Sequence, residues 1–406
     1  MGEVDFKAGS ADTGRAEVAK IWNMTFVGVF ISSVLLHTGL FMMDTLVPKY
    51  VDYLGGSKSI VGLASSLFAL TALLLKFISA PAIDTFNKKR ILSTMFIVIA
   101  AACFGYGIAG AIPAVLALRL LQGAGQAFIG SCSLTIAADS LPPERMGEGI
   151  AFYSLAQAIC YAIAPAFALM LLDRFGYQAA FFTGAGIMVG AAIAASFIRI
   201  KHVRVNKFRL SLHSCIAMEA IIPATIILLL YISYAMITAF LVLYAATKGI
   251  TAGIGYFFTI YALAMLLSRP LIGKLSDRLG FTKVFIPVMA CFAVSLFIIS
   301  VSSSLRDFYI AALLMALGFG SCQPAVQTLC MKCVPPEKRG AAGSMNFIGI
   351  DLGILFSGAL GGAIAEQFGY AVMWRAMIVP VAIAAAVVFA FQKQIRQIET
   401  KFIKHD

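Results

Sequence analysis

The chain has 406 residues, of which 61% are hydrophobic and only 12% charged. A soluble domain is roughly half apolar and about a quarter charged, so this composition excludes an ordinary soluble enzyme, a disordered chain and a disulfide scaffold. The formal charge is +12, a surplus that points to nucleic acid only if it is not explained by where it sits along the chain. Eight cysteines (Cys103, Cys132, Cys160, Cys215, Cys291, Cys322, Cys330 and Cys333) are scattered, mostly within apolar runs, and read as reduced, buried small residues.

Crossing about 30 Å of hydrocarbon takes about 20 mostly apolar residues in a helix. Twelve such runs follow in chain order: 22–46, 59–82, 91–110, 114–138, 150–172, 179–198, 221–246, 253–275, 283–303, 308–331, 342–366 and 372–391. They are too long for barrel strands, so the expected fold is an all-α membrane protein of two six-helix bundles. Its divisions are a polar N-tail (1–21, with no visible cleavable signal), a first bundle (22–198), a basic linker (199–220), a second bundle (221–391) and a tail (392–406). In that tail Ile395, Ile398 and Phe402 alternate with Lys393, Arg396, Lys401 and Lys404, the pattern of a short interfacial helix. With the N-terminus inside, 22 of the 31 Lys and Arg fall in cytoplasmic segments and six in outer ones. That bias predicts two cytoplasmic termini and accounts for the basic composition without nucleic acid.

Spans 3, 6, 9 and 12 have no charged, Asn or Gln residue at their centres, whereas polar residues gather in spans 1, 4, 5, 7, 8, 10 and 11. Polar groups avoid lipid, so the latter set should face a cavity. Span 1 places Ser33, His37 and Asp44 on one face; His37 is either a titrating group or a packing residue, and Asp44 faces Lys49 or Arg119. Span 4 carries Arg119, Gln122 and Gln126. Tyr153, Gln157 and Tyr161 share a face in span 5, Tyr231, Tyr234 and Thr238 one in span 7, and Gln323 and Gln327 one in span 10. Span 11 holds Asn346 and, nine residues in, Asp351, roughly 13 Å deep at a rise of about 1.5 Å per residue. An acid at that depth is costly unless paired, solvated or protonated; it either binds a cation, carries a proton or bonds a neighbouring helix. Lys76 and Arg269 are expected to reach back toward the cytoplasm.

The two halves repeat at an offset of 193 residues: Asp84 with Asp277, Lys76 with Arg269, Leu141-Pro-Pro-Glu-Arg145 with Val334-Pro-Pro-Glu-Lys338, and Asp173-Arg-Phe-Gly-Tyr177 with Glu366-Gln-Phe-Gly-Tyr370. One offset across separate loops indicates a duplicated six-helix unit, and transporters so built place their site between the halves near the bilayer midplane. The loop Gly273-Lys-Leu-Ser-Asp277-Arg278-Leu-Gly280-Phe-Thr-Lys283 resembles the hallmark G-x-x-x-D-R-x-G-R/K-R/K of the major facilitator superfamily. The first copy, Ala80 to Arg90, departs from it at Ala80, Thr85 and Asn87. Asn87 is expected in the left-handed turn that Gly supplies, and Lys88 and Lys89 follow it. Arg119-Leu-Leu-Gln122-Gly-Ala-Gly125 is similar to the family's second signature.

The resemblance implies a secondary transporter in which spans 1, 4, 7 and 10 line the cavity and the signature arginine is associated with proton coupling. Asp84, Lys88, Lys89, Gly273, Asp277, Arg278 and Gly280 are then the candidate cytoplasmic gate, and Asp351, His37, Asp44 and Arg119 the candidate proton or substrate residues. Proton-coupled efflux of a small molecule across a bacterial inner membrane is the leading reading. Cys160-x-x-x-Ala164-Pro165 is a degraded form of an exporter signature, which weakens the case for drug–proton antiport, and uptake, or a transporter-fold receptor, stays open. No P-loop or nucleophile constellation points to an enzyme, and Cys330-Met-Lys-Cys333 lacks the two further ligands zinc needs. No cofactor or metal is expected beyond a proton gradient, and the partners are a small molecule and the bilayer, with the protein as a monomer.

Overall fold

The computed structural model describes residues 20–56, 58–200, 217–250 and 253–404. Nearly all of the expected N-tail and linker therefore lies outside the described residues. The first half is built from α1 (Met24–Tyr53), α2 (Lys58–Thr85), α3 (Lys88–Ile108), α4 (Ile112–Ser140) and α5 (Met146–Ser196). The second is built from α6 (Ile221–Thr247), α7 (Tyr256–Leu279), α8 (Phe281–Val301), α9 (Leu305–Leu317), α10 (Phe319–Lys332), α11 (Arg339–Phe368), α12 (Tyr370–Ala376) and α13 (Ile378–Ala390), followed by α14 (Gln392–Lys404). Among the described residues eleven helical stretches are long and apolar enough to cross a membrane. One of them contains the 51-residue α5, which is long enough for two crossings, so the chain is a twelve-span, all-α membrane protein.

The breaks in these helices have local causes. Spans 5 and 6 are not joined by the expected loop: α5 turns at Gly176, whose φ of 79° and ψ of 176° suit a residue without Cβ. Its repeat partner Gly369 does the same between α11 and α12, at φ 79°. Span 10 is split at Gly318, where a Cβ would lie 2.6 Å from the backbone nitrogen of Phe292; the α9–α10 junction thus packs directly on α8. At α1, Asn23 caps the helix, accepting from the Phe26 amide at 2.9 Å and donating to the Ser140 carbonyl at 2.6 Å. Asn87 departs from expectation. It is extended (φ −64°, ψ 108°) because its side chain accepts from the Arg90 amide and starts α3, a capping role that needs β-region backbone. Its counterpart Gly280 does take positive φ, 87°.

Two apolar clusters hold the halves. The first centres on Phe96, Tyr106 and Phe181, and the second on Phe292, Phe308 and Trp374. Facing outward, Leu263, Leu267 and Leu271 recur at every fourth position of α7 and are exposed, as a lipid-facing stripe requires. The C-terminal tail is helical but docks on protein rather than lying free at the interface. Ile395 is fully buried in the second cluster, and Glu399 accepts from the Phe281 amide at 2.7 Å, capping α8. Burial pushes the Glu399 carboxyl above its ordinary range, against the pull of that amide bond.

Candidate transport pathway

The repeated aspartates sit where α2 and α7 end, on the face where α1 begins and α14 packs. Each reaches across to the other half. Asp84 accepts from the amides of Gly340 (2.7 Å) and Ala341 (3.0 Å) at the start of α11. Asp277 accepts from Gly147 (3.1 Å) and Glu148 (2.9 Å) at the start of α5. These four amides are among the orphan donors of helix N-termini, where a carboxylate is also favoured by the helix dipole. The acceptor positions obey the 193 offset, so the two contacts between the halves form a pseudo-twofold pair at the candidate gate. Gly273 supports it by close approach: a Cβ there would lie 2.7 Å from the Gly147 carbonyl oxygen.

The basic residues of the loops act otherwise. Lys88 pairs with Asp139 of its own half at 2.6 Å, and Arg339 joins Asp139 from the other half, also at 2.6 Å. Lys332 holds Asp277 at 3.1 Å. Lys89 and Arg278 make no side-chain hydrogen bond or ion pair to the described residues. A cavity of about 730 Å³ beside the gate meets Asn23, Lys88 and Arg199.

Deeper in the membrane, the expectation for Lys76 and Arg269 fails. Neither reaches back to the gate face, because each finds a partner at depth. Lys76 is buried and forms an ion pair with Asp351 of the other half, lying 5.5 Å from the centre of the Phe347 ring. Arg269 is buried too, donating to the carbonyls of Gly320 (2.7 Å) and Ser154 (2.5 Å) and to Gln323 (3.1 Å). Of the two partners left open for Asp44, the structure selects Arg119, at 3.3 Å. Arg119 also donates to the Met43 carbonyl and, with Tyr106, to Gln122.

The central cavity, about 610 Å³, opens between the halves. The first half contributes Phe41, Gln157 and Tyr161, and the second Tyr231, Tyr234, Thr238, Tyr261, Arg269, Phe319 and Gln323. Tyr234 stacks on Phe319 at 3.9 Å and 7°, giving one flat aromatic wall. A separate small cavity of about 20 Å³ lies among His37, Gln126, Tyr153, Gln157 and Gln327. His37 donates from Nδ1 to the Ser33 carbonyl at 2.8 Å, which leaves Nε2 as the free acceptor. Ser33 is buried, as are Gln122 and Asn346; none of the three lines either space. The sequence reading missed Tyr261, Phe258, Phe319 and Arg269. The usable signal was Arg269 itself, a charge within a span at the repeat position of Lys76.

The Major Facilitator Superfamily model matches residues 29–251 and 223–401. The staphylopine export protein of Staphylococcus aureus is 22% identical over 389 residues, covering 91% of this chain and 96% of that protein. The multidrug resistance protein MdtG of a Rahnella species is 23% identical over 367 residues, 86% and 89% of the two chains. Among solved structures, a bacterial homologue of the iron transporter ferroportin in an outward-facing state superposes with a TM-score of 0.77 at 14% identity, over 91% of this chain and 99% of that one. The human organic anion transporter TETRAN gives 0.72 at 14%, over 90% and 99%. With twelve spans, an aspartate contact repeated across two halves and a cavity between them already in view, this match settles the family: the chain belongs to the Major Facilitator Superfamily and is a membrane transporter, not an enzyme.

Proposed function

We propose that the chain exports a small molecule by alternating access, driven by protons entering the cell, as a monomer in a bacterial inner membrane with both termini cytoplasmic. The observation that carries this reading is the Lys76–Asp351 ion pair, which ties one half to the other within the membrane. With the gate face closed, a proton arriving through the outer cavity converts the Asp351 carboxylate to the neutral acid and removes its attraction for Lys76. The halves then part on the gate face, where water hydrates the freed ammonium. The proton leaves Asp351 to the cytoplasm, the substrate enters the cavity, and re-formation of the pair closes the gate behind it. Such a cycle needs a two-state element whose balance a single charge can tip. The orientation is supported by the distribution of Lys and Arg. The direction is supported by relatives named for export and efflux.

The test is Asp351→Asn, which keeps the shape and cannot ionise. A thermal-shift panel of amines, sugars, chelators and organic anions first supplies a ligand. In proteoliposomes the variant should then lose flux driven by a pH gradient while keeping equilibrium exchange of that ligand. Normal gradient-driven flux in the variant would remove Asp351 from the coupling mechanism.

A further inference from the structure

Away from the span ends, three cations lie within the predicted spans, Lys76, Arg119 and Arg269, and two have a carboxylate. Arg119 has Asp44, and Lys76 has Asp351. Arg269 makes no ion pair with a described residue; its three acceptors are two backbone carbonyls and a neutral amide. The repeat explains the difference. Lys76 lies over Phe347 and pairs one helical turn further along α11, at Asp351. At the 193 offset Arg269 corresponds to Lys76, Ser154 to Phe347, and Ala158 to Asp351. Arg269 does bond Ser154, through its carbonyl. One turn on, where the other half offers a carboxylate, the chain has Ala158.

Among the described residues no other charged group lines that space: Ala158 and Arg269 both line the central cavity, and Arg269 is the one charged residue among them. A guanidinium has five N–H donors, and three are engaged, so two remain to donate to a carboxylate. Tyr161, Tyr234 and Phe319 supply apolar, flat surface alongside. A cavity with this lining holds an apolar body and uses its few polar groups to fix orientation.

We propose that the substrate is an organic anion whose carboxylate completes the missing ion pair at Arg269, with its apolar or aromatic body against the tyrosine wall. This rests on the transport reading above and names the substrate class for it. A neutral molecule leaves the guanidinium uncompensated, and a cation is repelled by it. Substrate departure restores the uncompensated charge, so the empty cavity returns to a state that favours a new anion.

The experiment uses 2-naphthoate as probe, with 2-naphthamide and 2-naphthylmethylammonium as neutral and cationic analogues of similar shape. Melting of the purified full chain is followed in detergent. Naphthoate should raise the wild-type melting temperature by a few degrees at saturating concentration, as linkage requires of a ligand that binds the folded state, and the two analogues should not. Ala158→Asp supplies the missing carboxylate internally and should abolish the naphthoate shift without removing Arg269. Arg269→Gln should abolish it as well; if that variant fails to fold, Ala158→Asp and the analogue series carry the test alone. Equal shifts from the amide or the ammonium, a naphthoate shift that persists in Ala158→Asp, or no shift with either naphthoate or benzoate would each overturn the proposal. Asp351→Asn should keep the naphthoate shift. Failure of proton coupling therefore shows in flux, whereas failure of the anion assignment shows in binding.

Discussion

Replacing Asp277 by Asn should open the gate face, and the size of the effect follows from its contacts. Asp277 accepts from two backbone amides of the other half and is held by Lys332, with its side chain 7% exposed. Hydrogen bonds to a charged group contribute about 1.5–3 kcal/mol each. Asn retains one acceptor oxygen but turns an NH2 group toward the second amide donor, so about one such bond is lost, roughly 2 kcal/mol. At about 1.4 kcal/mol per tenfold, the closed-to-open ratio falls about thirtyfold; a ratio of about a hundred would become about three. The repeat supplies reporter sites, Glu144 and Glu337, both exposed and on opposite halves. With each changed to Cys and spin-labelled, in a background without reactive native thiols, the distance distribution should gain a longer component in Asp277→Asn. A folded variant with the wild-type distribution would show that these amide bonds do not hold the halves closed.

Removing one member of the Lys76–Asp351 pair leaves a buried charge without its partner, a loss of about 3–5 kcal/mol at fully buried sites; with Asp351 27% exposed the lower end applies. Lys76→Met should therefore melt at lower temperature than Lys76→Met/Asp351→Asn, and a double variant no more stable than the single would refute a net pairing role. Gly176→Ala forces a side chain into positive φ, which costs about 1–2 kcal/mol, and should lower the melting temperature. The same change at Gly186, which has open space around it and no positive φ, should not lower it. Trimming Ile395 to Ala should detach α14, since a buried Ile-to-Ala change costs about 2–5 kcal/mol and few other apolar side chains anchor the helix. Protease cleavage after Lys393 or Arg396 should then accelerate, and unchanged cleavage would mean that α14 is held by other contacts.

The features legible in the sequence were those fixed by period, charge or repetition. Span lengths, the repeated Asp84 and Asp277 and the pairing of Asp44 with Arg119 as one of two options all follow from spacing. What the sequence did not yield depended on cross-half geometry. Lys76 was read as reaching back to the gate face because a lysine two turns from a helix end usually does. Its true partner lies 275 residues away, and nothing local marks the pair. Asn87 was assigned the backbone of the Gly it replaces. Its side chain could instead cap a helix, and a satisfied amide decided between the two conformations. Arg269 shared the reading given to Lys76, yet the offset that linked them also carried the difference, since position 158 is Ala where 351 is Asp. Comparing the halves for retained residues finds the gate; comparing them for lost ones finds the cavity charge.

The gate itself shows the same departure from symmetry. Lys332, which steadies Asp277, corresponds at the 193 offset to Asp139, which would repel Asp84. Two cations offset that repulsion: Lys88 from the same half and Arg339 from the other. Thr135 adds a bond across the halves to the Arg339 carbonyl at 3.1 Å. Parting the halves on the Asp84 side therefore breaks an ion pair as well as amide bonds, and leaves Asp139 and Asp84 with less positive charge nearby. On the Asp277 side the lysine belongs to the same half and travels with its aspartate. The two contacts are built on one plan but differ in charge: the Asp139–Arg339 ion pair crosses between the halves, whereas Lys332 pairs with the aspartate of its own half.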